Sequence, residues 1–378
     1  MSTDTANASR RAIYLPASGV FEIMTQTATY IPAGSQVLVR VHYSGINPAD
    51  KRHFYMGWHS FVAGYDWLGT VEVAGPTATH AVGDMLFGLT TPGHRRPVET
   101  GAHQDLILAQ TGPGSGTYCV PTSLLQNGIH DDRVRQLVAW PVALRTASDA
   151  LVNSLGFALP AATIRGEDPT GRAILIWGGS SAVGLAAIYL AAAAGFSPIY
   201  TMASAKNHTA LLALGATHAF DYRSPTVVDE IRAAAAGREL AVVFDAVATG
   251  TGFAEPPREG GGEIDLAESP PAIAARCLTD GIPEEKLRLC AALPLPHDPR
   301  WSVCLGRRDP AESAQMAEFE SRVDVIMAWA LEQLASPGRG FRFPNLRLVK
   351  GAEAAIQAIN DVFDGKASME KFIIQHPI

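Results

Sequence analysis

The residues whose types and spacing best suit chemistry lie between Ala173 and Gly184, in the run A-I-L-I-W-G-G-S-S-A-V-G. The apolar stretch Ile174 to Trp177 has strand length and stops at Gly178 and Gly179. Ser180 and Ser181 follow, and then a small-residue helix is expected from Ala182 to Ala194. Peptide N–H groups in a first helical turn have no intrahelical acceptor, and the helix dipole favours an anion there, so a pyrophosphate is the expected occupant. A glycine turn lets that phosphate approach the backbone. The candidate cradle is Gly178, Gly179, Ser180, Ser181, Ala182, Val183 and Gly184. Its spacing, G-G-x-x-x-x-G, departs from G-x-G-x-x-G, and a glycine-rich strand-to-helix turn also occurs without a ligand.

The next unit strengthens the phosphate reading. Ser197 to Met202 reads as a second strand, ending roughly where a Rossmann unit meets the adenosine ribose. No acidic residue follows to bind two free ribose hydroxyls. Ser204, Lys206 and Asn207 stand there instead, a hydroxyl, an ammonium and an amide suited to a 2′-phosphate. The sequence therefore favours NADP(H) over NAD(H), with a solvated turn before a helix near His208 as the plainer alternative.

These residues need a scaffold that positions them. The chain has 378 residues, enough for two domains, with 47% hydrophobic and 18% charged residues. A formal net charge of −7 argues against a nucleic-acid surface. No stretch has the uninterrupted apolar length of a membrane span, and Met1 to Arg11 lacks the apolar core of a signal, so a cytoplasmic protein with no membrane partner is expected. Cys119, Cys277, Cys290 and Cys304 are dispersed, without C-x-x-C spacing, and are expected to be reduced thiols; no metal site is expected.

Residues 12 to 110 read as successive short strands with turns between them. Gln36 to His42, Leu68 to Val73, Val82 to Gly88 and Leu106 to Leu108 are the expected strands, and Asn47-Pro48 breaks the first. Such a series builds a barrel-like β domain. Further on, strands are expected at Ala241 to Ala246, Leu287 to Leu293 and Trp301 to Leu305, with helices at Pro271 to Leu278 and Glu312 to Leu334. Phe319, Val323, Ile326 and Ala330 lie at helical spacing within the last of these. Thr249 to Ser269, rich in Gly, Pro and Glu and containing Gly260-Gly261-Gly262, reads as an inserted surface loop with little buried core.

In order along the chain stand G-I-N-P-A-D (Gly45 to Asp50), G-Y-D-W-L-G-T-V (Gly64 to Val71), V-G-D-M-L-F-G (Val82 to Gly88) and G-A-H-Q-D-L-I-L (Gly101 to Leu108). A-W-P-V-A-L-R-T-A-S-D-A-L (Ala139 to Leu151), the nucleotide turn and Leu346 to Ile374 follow. This ordered series resembles the medium-chain dehydrogenase/reductase superfamily and covers most of the chain. It is most similar to the zinc-independent branch, which holds quinone oxidoreductases and the fungal trans-acting enoyl reductases of polyketide synthases, of the lovastatin type. Asn47-Pro48 and Gly64-Tyr65-Asp66 stand where the zinc enzymes carry Cys and G-H-E. Gly215 to Pro225 and Ser204 to Asn207 carry the likeness to the trans-acting group.

The resemblance implies an α/β fold: a Rossmann dinucleotide-binding domain plus a discontinuous GroES-like β-barrel substrate domain, with nicotinamide and substrate in the cleft between them. The expected bounds are 1–148 for the first part of the substrate domain, 149–309 for the Rossmann domain and 310–378 for the return. It also implies NADPH-dependent reduction of a C=C bond conjugated to a carbonyl, on a polyketide held by an acyl carrier protein. A stand-alone quinone or enone reductase is the alternative, as is a diverted member that rearranges a polyketide without net reduction.

By resemblance, Ser204, Lys206 and Tyr222 flank the adenosine end, unless Tyr222 merely packs at a strand end. Asn47, Leu305 and Gly306 are further cofactor contacts. Thr146, on the helix bridging the domains, stands beside the nicotinamide or caps a helix. Lys51 and Arg52 are the candidate cations for an enolate or a carrier phosphate. Relatives carry a lysine at the position of Arg52, so Lys51 is displaced by one, and two solvated loop charges are the plainer alternative.

Overall fold

The structure is a computed structural model that describes residues 10–257 and 262–378. It divides into two units. The first comprises Met1–Val142, Asn345–Ala367 and Lys371–Ile378; the second comprises Ala143–Pro344 and Ser368–Glu370.

The second unit is built on a parallel sheet, six-stranded among the described residues. Its strands, from one edge to the other, are His218–Phe220, Ile199–Met202, Ile174–Trp177, Val242–Asp245, Arg288–Ala291 and Trp301–Val303. Numbered along the chain from Ile174, that order is 3-2-1-4-5-6, the doubly wound arrangement. The order reverses between Ile174–Trp177 and Val242–Asp245, whose residues pair from Ile174↔Val242 to Trp177↔Asp245. Both strands are buried throughout, as continuous apolar runs in a parallel sheet should be. Tyr200, Leu175, Val243, Leu289 and Ile231 belong to one core cluster on this sheet.

Helix Ala182–Ala194 follows the first of these strands and ends at Gly195, whose φ of 100° closes it in the left-handed region. Helix Ala314–Ala335 also belongs to this unit. The return to the first unit expected at 310 therefore occurs at Asn345. Packing gives the physical reason: Tyr189 stacks on Trp329 at 5.8 Å and on Phe341 at 5.4 Å, while Val323, Ile326 and Ala330 are buried. The stretch from Thr249 to Ser269 is partly ordered by Glu255, which accepts from the N–H groups of Gly250 (2.6 Å) and Gly252 (3.2 Å). Thr251, Ala254 and Ser269 are buried, so its described part is not all surface loop. Gly260 and Gly261 lie outside the described residues.

The first unit is mainly antiparallel. Strand Gln36–Gly45 is its centre: it pairs with Asp66–Ala74 along its length, with Leu106–Gln110 through Gln36 to Arg40, and with Glu370–Gln375 through Tyr43 to Gly45. Register shifts at Leu38/Val39 and Val41/Tyr43 bend it, which lets one strand serve these different neighbours. Met85–Leu89, Thr117–Cys119 and Asn345–Lys350 complete a sheet that has seven strands among the described residues, and Glu22–Gln26, Arg10–Leu15 and Phe61–Val62 form a smaller one. Helix Ala352–Phe363 buries Ala355, Ile359 and Val362 against Ile13, Phe61 and Ile374. Among the described residues, no helix is long and apolar enough to cross a membrane.

Candidate functional site

The glycine turn forms as its residues dictate. Gly178 has φ 79°, and a Cβ there would lie 2.7 Å from Val247 Cγ1. A Cβ on Gly179 would lie 2.0 Å from Thr201 Oγ1, and one on Gly184 2.2 Å from the Gly178 carbonyl oxygen. Glycine is thus required for the helix to start hard against the strand end. Ser181 caps that helix by accepting from Gly184 N–H at 3.0 Å. Gly179 and Ser181 N–H are used by Met202 and Gly178 carbonyls. The N–H groups of Ser180, Ala182 and Val183 have no acceptor among the described residues, and these residues are half-buried. Three uncommitted donors at the N-terminus of a long helix fit a pyrophosphate.

Around the end of the second strand, Lys206 is exposed, and neither its Nζ nor the Ser204 hydroxyl has a partner among the described residues. Asn207 differs: it is buried, and its amide donates to Ser368 Oγ at 2.8 Å. Tyr222 is 50% exposed, with the Arg223 guanidinium 5.7 Å from its ring. Arg223 grips Asp221 through bonds of 2.9 and 2.7 Å and holds that carboxyl well below the usual carboxylate range. The Asp221 charge is thereby balanced by Arg223. Asp221 and Arg223 were not singled out in the sequence, although D-Y-R was legible there.

Thr146 is buried within helix Pro141–Ser148 and not at its start, so it is no N-cap. The loop after the last strand is held by two arginines, one half-buried and one fully buried. Arg308 donates to Asp149 at 2.8 and 2.7 Å, and Asp149 also accepts from Leu305 N–H at 2.8 Å. Arg145, fully buried, donates to the Gly306 carbonyl (2.8 Å), to Asp324 (3.0 Å) and to Glu320. Leu305 and Gly306 are therefore fixed through their backbones, while the Leu305 side chain is 42% exposed. Asp149 begins a π-helical turn, Asp149–Ser154, that continues the preceding helix.

At the point where the strand order reverses stands Asp245, fully buried. Its Oδ1 accepts from Val247 and Ala248 N–H, both at 3.0 Å, and its Oδ2 has no partner among the described residues. Burial pushes this carboxyl up to about 6, against the pull of the two N–H groups.

In the first unit, Asn47 is wholly engaged. Its Nδ2 donates to the Gly45 carbonyl (3.4 Å) and to Asp66 (2.8 Å), and its Oδ1 accepts from Lys371 at 2.5 Å. Lys371 also pairs with Asp66 at 3.0 Å, and Asp66 accepts from Val142 N–H at 2.8 Å. Burial pushes the Asp66 carboxyl up, with Lys371 pulling it back. Lys51 donates to Asn360 Oδ1 at 2.6 Å and lies 5.2 Å from the Phe363 ring; Arg52 lies 5.9 Å from the same ring. Both cations thus sit against helix Ala352–Phe363.

Sequence reasoning missed two polar clusters here. His53 Nδ1 bonds the Tyr65 hydroxyl, with Arg96 packed on the Tyr65 ring. A buried chain also runs from Asp50 to His103 (3.4 Å), Ser44 (2.9 Å), His376 (2.9 Å) and Asp105 (3.1 Å). The signal in the sequence was the isolated histidines His53, His103 and His376. Among the described residues no three of His, Cys, Asp and Glu are placed to share a metal ion.

Two family models match the chain: "Alcohol dehydrogenase GroES-like domain" over residues 33–126 and "Zinc-binding dehydrogenase" over residues 182–255. The dehydrogenase orf1 of Aspergillus niger is 33% identical over 58% of this chain and 62% of its own length. The trans-enoyl reductase himH of Aspergillus japonicus is 30% identical over 52% of this chain and 54% of its own length. The matched region thus spans less than two thirds of these relatives. A mycobacterial protein solved with NADPH has the same fold, with a TM-score of 0.64 at 19% identity, over 97% of this chain and 100% of that one. The chain therefore has an alcohol dehydrogenase-like α/β fold, with a GroES-like N-terminal part and a Rossmann-type parallel sheet.

Proposed function

We propose that this chain, which belongs to the medium-chain dehydrogenase/reductase superfamily, is an oxidoreductase that uses NADPH to reduce the C=C bond of an α,β-unsaturated polyketide thioester, acting in trans on a carrier-bound chain in the cytoplasm. The observation that carries the cofactor half is the turn with its uncommitted Ser180, Ala182 and Val183 N–H groups, followed by Ser204 and Lys206, whose side chains have no partner among the described residues. The similarity to a fungal trans-enoyl reductase supports the substrate half.

The turn would hold the pyrophosphate through those N–H groups, and Lys206, Ser204 and Tyr222 would receive the 2′-phosphate end. When bound, the nicotinamide supplies a hydride for the β-carbon. Asp149 and Arg145 fix the Leu305–Gly306 backbone, a fixed edge for the carboxamide that does not have to reorganise during the reaction. Thr146 offers a hydroxyl without a partner among the described residues. Neither Lys51, tied to Asn360, nor Arg52, over Phe363, is required as an enolate cation in this reading.

The test is consumption of NADPH and of NADH with α,β-unsaturated acyl thioesters, both carrier-bound and free, with product masses. A gain of two hydrogens with NADPH and a preference for carrier-bound substrate is the expected result. Equal use of free enones moves the assignment to a stand-alone reductase. Exchange of a substrate proton without NADPH oxidation moves it to a non-reductive rearrangement.

A further inference from the structure

Ser44, Asp50, His103, Asp105 and His376 all belong to the first unit and are buried. They come from separate segments of the chain. Ser44 lies near the end of strand Gln36–Gly45, Asp50 in the short helix Ala49–Arg52, His103 and Asp105 just before strand Leu106–Gln110, and His376 just after strand Glu370–Gln375. Successive contacts join them in a line: Asp105 Oδ1 to His376 Nδ1 (3.1 Å), His376 Nε2 to Ser44 Oγ (2.9 Å), Ser44 Oγ to His103 Nδ1 (2.9 Å) and His103 Nε2 to Asp50 Oδ2 (3.4 Å). Among the described residues these ring nitrogens and the Ser44 hydroxyl have no other hydrogen-bond partner.

A contact of this kind is a hydrogen bond only if a hydrogen lies in it. A neutral imidazole carries one N–H, a serine hydroxyl one O–H and a carboxylate none. Two neutral rings and one hydroxyl therefore supply three hydrogens for four bonds. The hydroxyl is the pivot. If it donates to His376, whose Nδ1–H goes to Asp105, it must accept from His103 Nδ1–H, and no hydrogen is left between His103 Nε2 and Asp50. Reversing every bond empties the contact to Asp105 instead. If both rings donate outward to the carboxylates, Ser44 can serve only one of the two bare nitrogens.

We propose that this line binds one proton beyond those of two neutral imidazoles, shared at neutral pH between His103 Nε2 and Asp50 Oδ2, and that the proton latches helix Ala49–Arg52 to strand Gln36–Gly45 and to the segment around His376. The proton is taken from solvent as the unit folds. It completes every bond in the line and leaves one negative charge buried there where two would otherwise be. The Asp50 end is its place for two reasons. Burial lowers His376 below the ordinary histidine value, against the pull of Asp105, so the ring at the other end stays neutral. Asp50 Oδ2 accepts from Asn47 N–H at 2.7 Å, but its buried Oδ1 has no partner among the described residues, so this carboxyl gains from a proton. Arg96, His53 and Tyr65 also interact electrostatically with Asp50, and His42 with His376.

The test is NMR of the full chain labelled with ¹⁵N and ¹³C, reading the ring nitrogens of His103 and His376 and the carboxyl carbons of Asp50 and Asp105 at pH 7. Wild type is expected to hold three protons on these side chains. Ser44→Ala removes the pivot, so each ring can donate to its own carboxylate. The number should then fall to two, with His103 Nδ1 bare.

Urea unfolding gives a second readout. Native wild type holds a proton that native Ser44→Ala does not, so its stability is lost as pH rises. The ratio of the two folding constants, wild type over variant, should fall about tenfold per pH unit above the ordinary histidine value of 6.5, until wild type releases its proton. Two protons in wild type at pH 7, three retained in Ser44→Ala, or a ratio that does not change above pH 6.5 overturns the inference. Should Ser44→Ala fail to fold, the wild-type number decides by itself.

Discussion

The two units handle polarity in opposite ways. In the parallel-sheet unit, the nucleotide turn leaves the backbone donors of Ser180, Ala182 and Val183 uncommitted, together with the Ser204 and Lys206 side chains. In the first unit, Asn47, Asp66 and Lys371 bond one another while buried, and Asp50, His103, Ser44, His376 and Asp105 form a second buried chain. One region leaves donors uncommitted where a ligand could take them; the other pairs many of its buried polar groups internally.

The comparison breaks most sharply at Gly184. A Cβ there would lie 2.2 Å from the Gly178 carbonyl oxygen, so Gly184→Ala should reduce NADPH affinity by more than about 100-fold, equivalent to about 3 kcal/mol. Isothermal titration checks this, and near-normal affinity would show that the turn is not the cradle. The matching change in the other unit is Asp66→Ala. It strands the buried Lys371 charge and should destabilise the protein by about 3–5 kcal/mol in urea unfolding, with less effect from Asp66→Asn. Lys206→Ala removes one exposed cation. It should weaken NADPH about 10- to 100-fold and leave NADH unchanged, as loss of a single charged hydrogen bond would.

Two titrating groups, one per unit, predict opposite pH slopes. Asp245 has its carboxyl raised from 3.8 to about 6, so the folded protein holds the extra proton. Stability of wild type relative to Asp245→Asn should fall as pH rises from about 4 to 6 and then level off. His53 is lowered from 6.5 to about 4, so the unfolded chain holds the extra proton. Stability of wild type relative to His53→Phe should rise with pH across about 4 to 6.5. Urea midpoints across that range measure both, and parallel slopes would contradict the assignment.

Legibility in the sequence followed the same division. Strand Ile174–Trp177 and helix Ala182–Ala194 stand as read, because a fully buried parallel strand, a serine cap and a terminal glycine are all local signals. Short edge strands such as Phe61–Val62 and Thr117–Cys119 carried too few residues to show a period. The return expected at 310 failed because helical spacing in 312 to 334 reveals an apolar face but not the surface it packs on. That surface was set by Tyr189 and by the Arg145 ion pairs.

The glycine turn between Ile174–Trp177 and Ala182–Ala194 was legible as a turn for the same local reasons. The commitment of Asn47 to Lys371, of Lys51 to Asn360 and of His53 to Tyr65 was not, since the partners lie far apart in the chain or in different segments. A lone histidine or lysine in a sequence does not announce its partner.

The most direct test of the central claim is mass analysis of the product from a carrier-bound enoyl thioester, with NADPH carrying deuterium at C4 and unlabelled water. The account predicts one deuterium at the β-carbon and one hydrogen at the α-carbon, with one NADPH oxidised per product and no reaction with NADH. A product of unchanged mass, with NADPH bound but not oxidised, would contradict it.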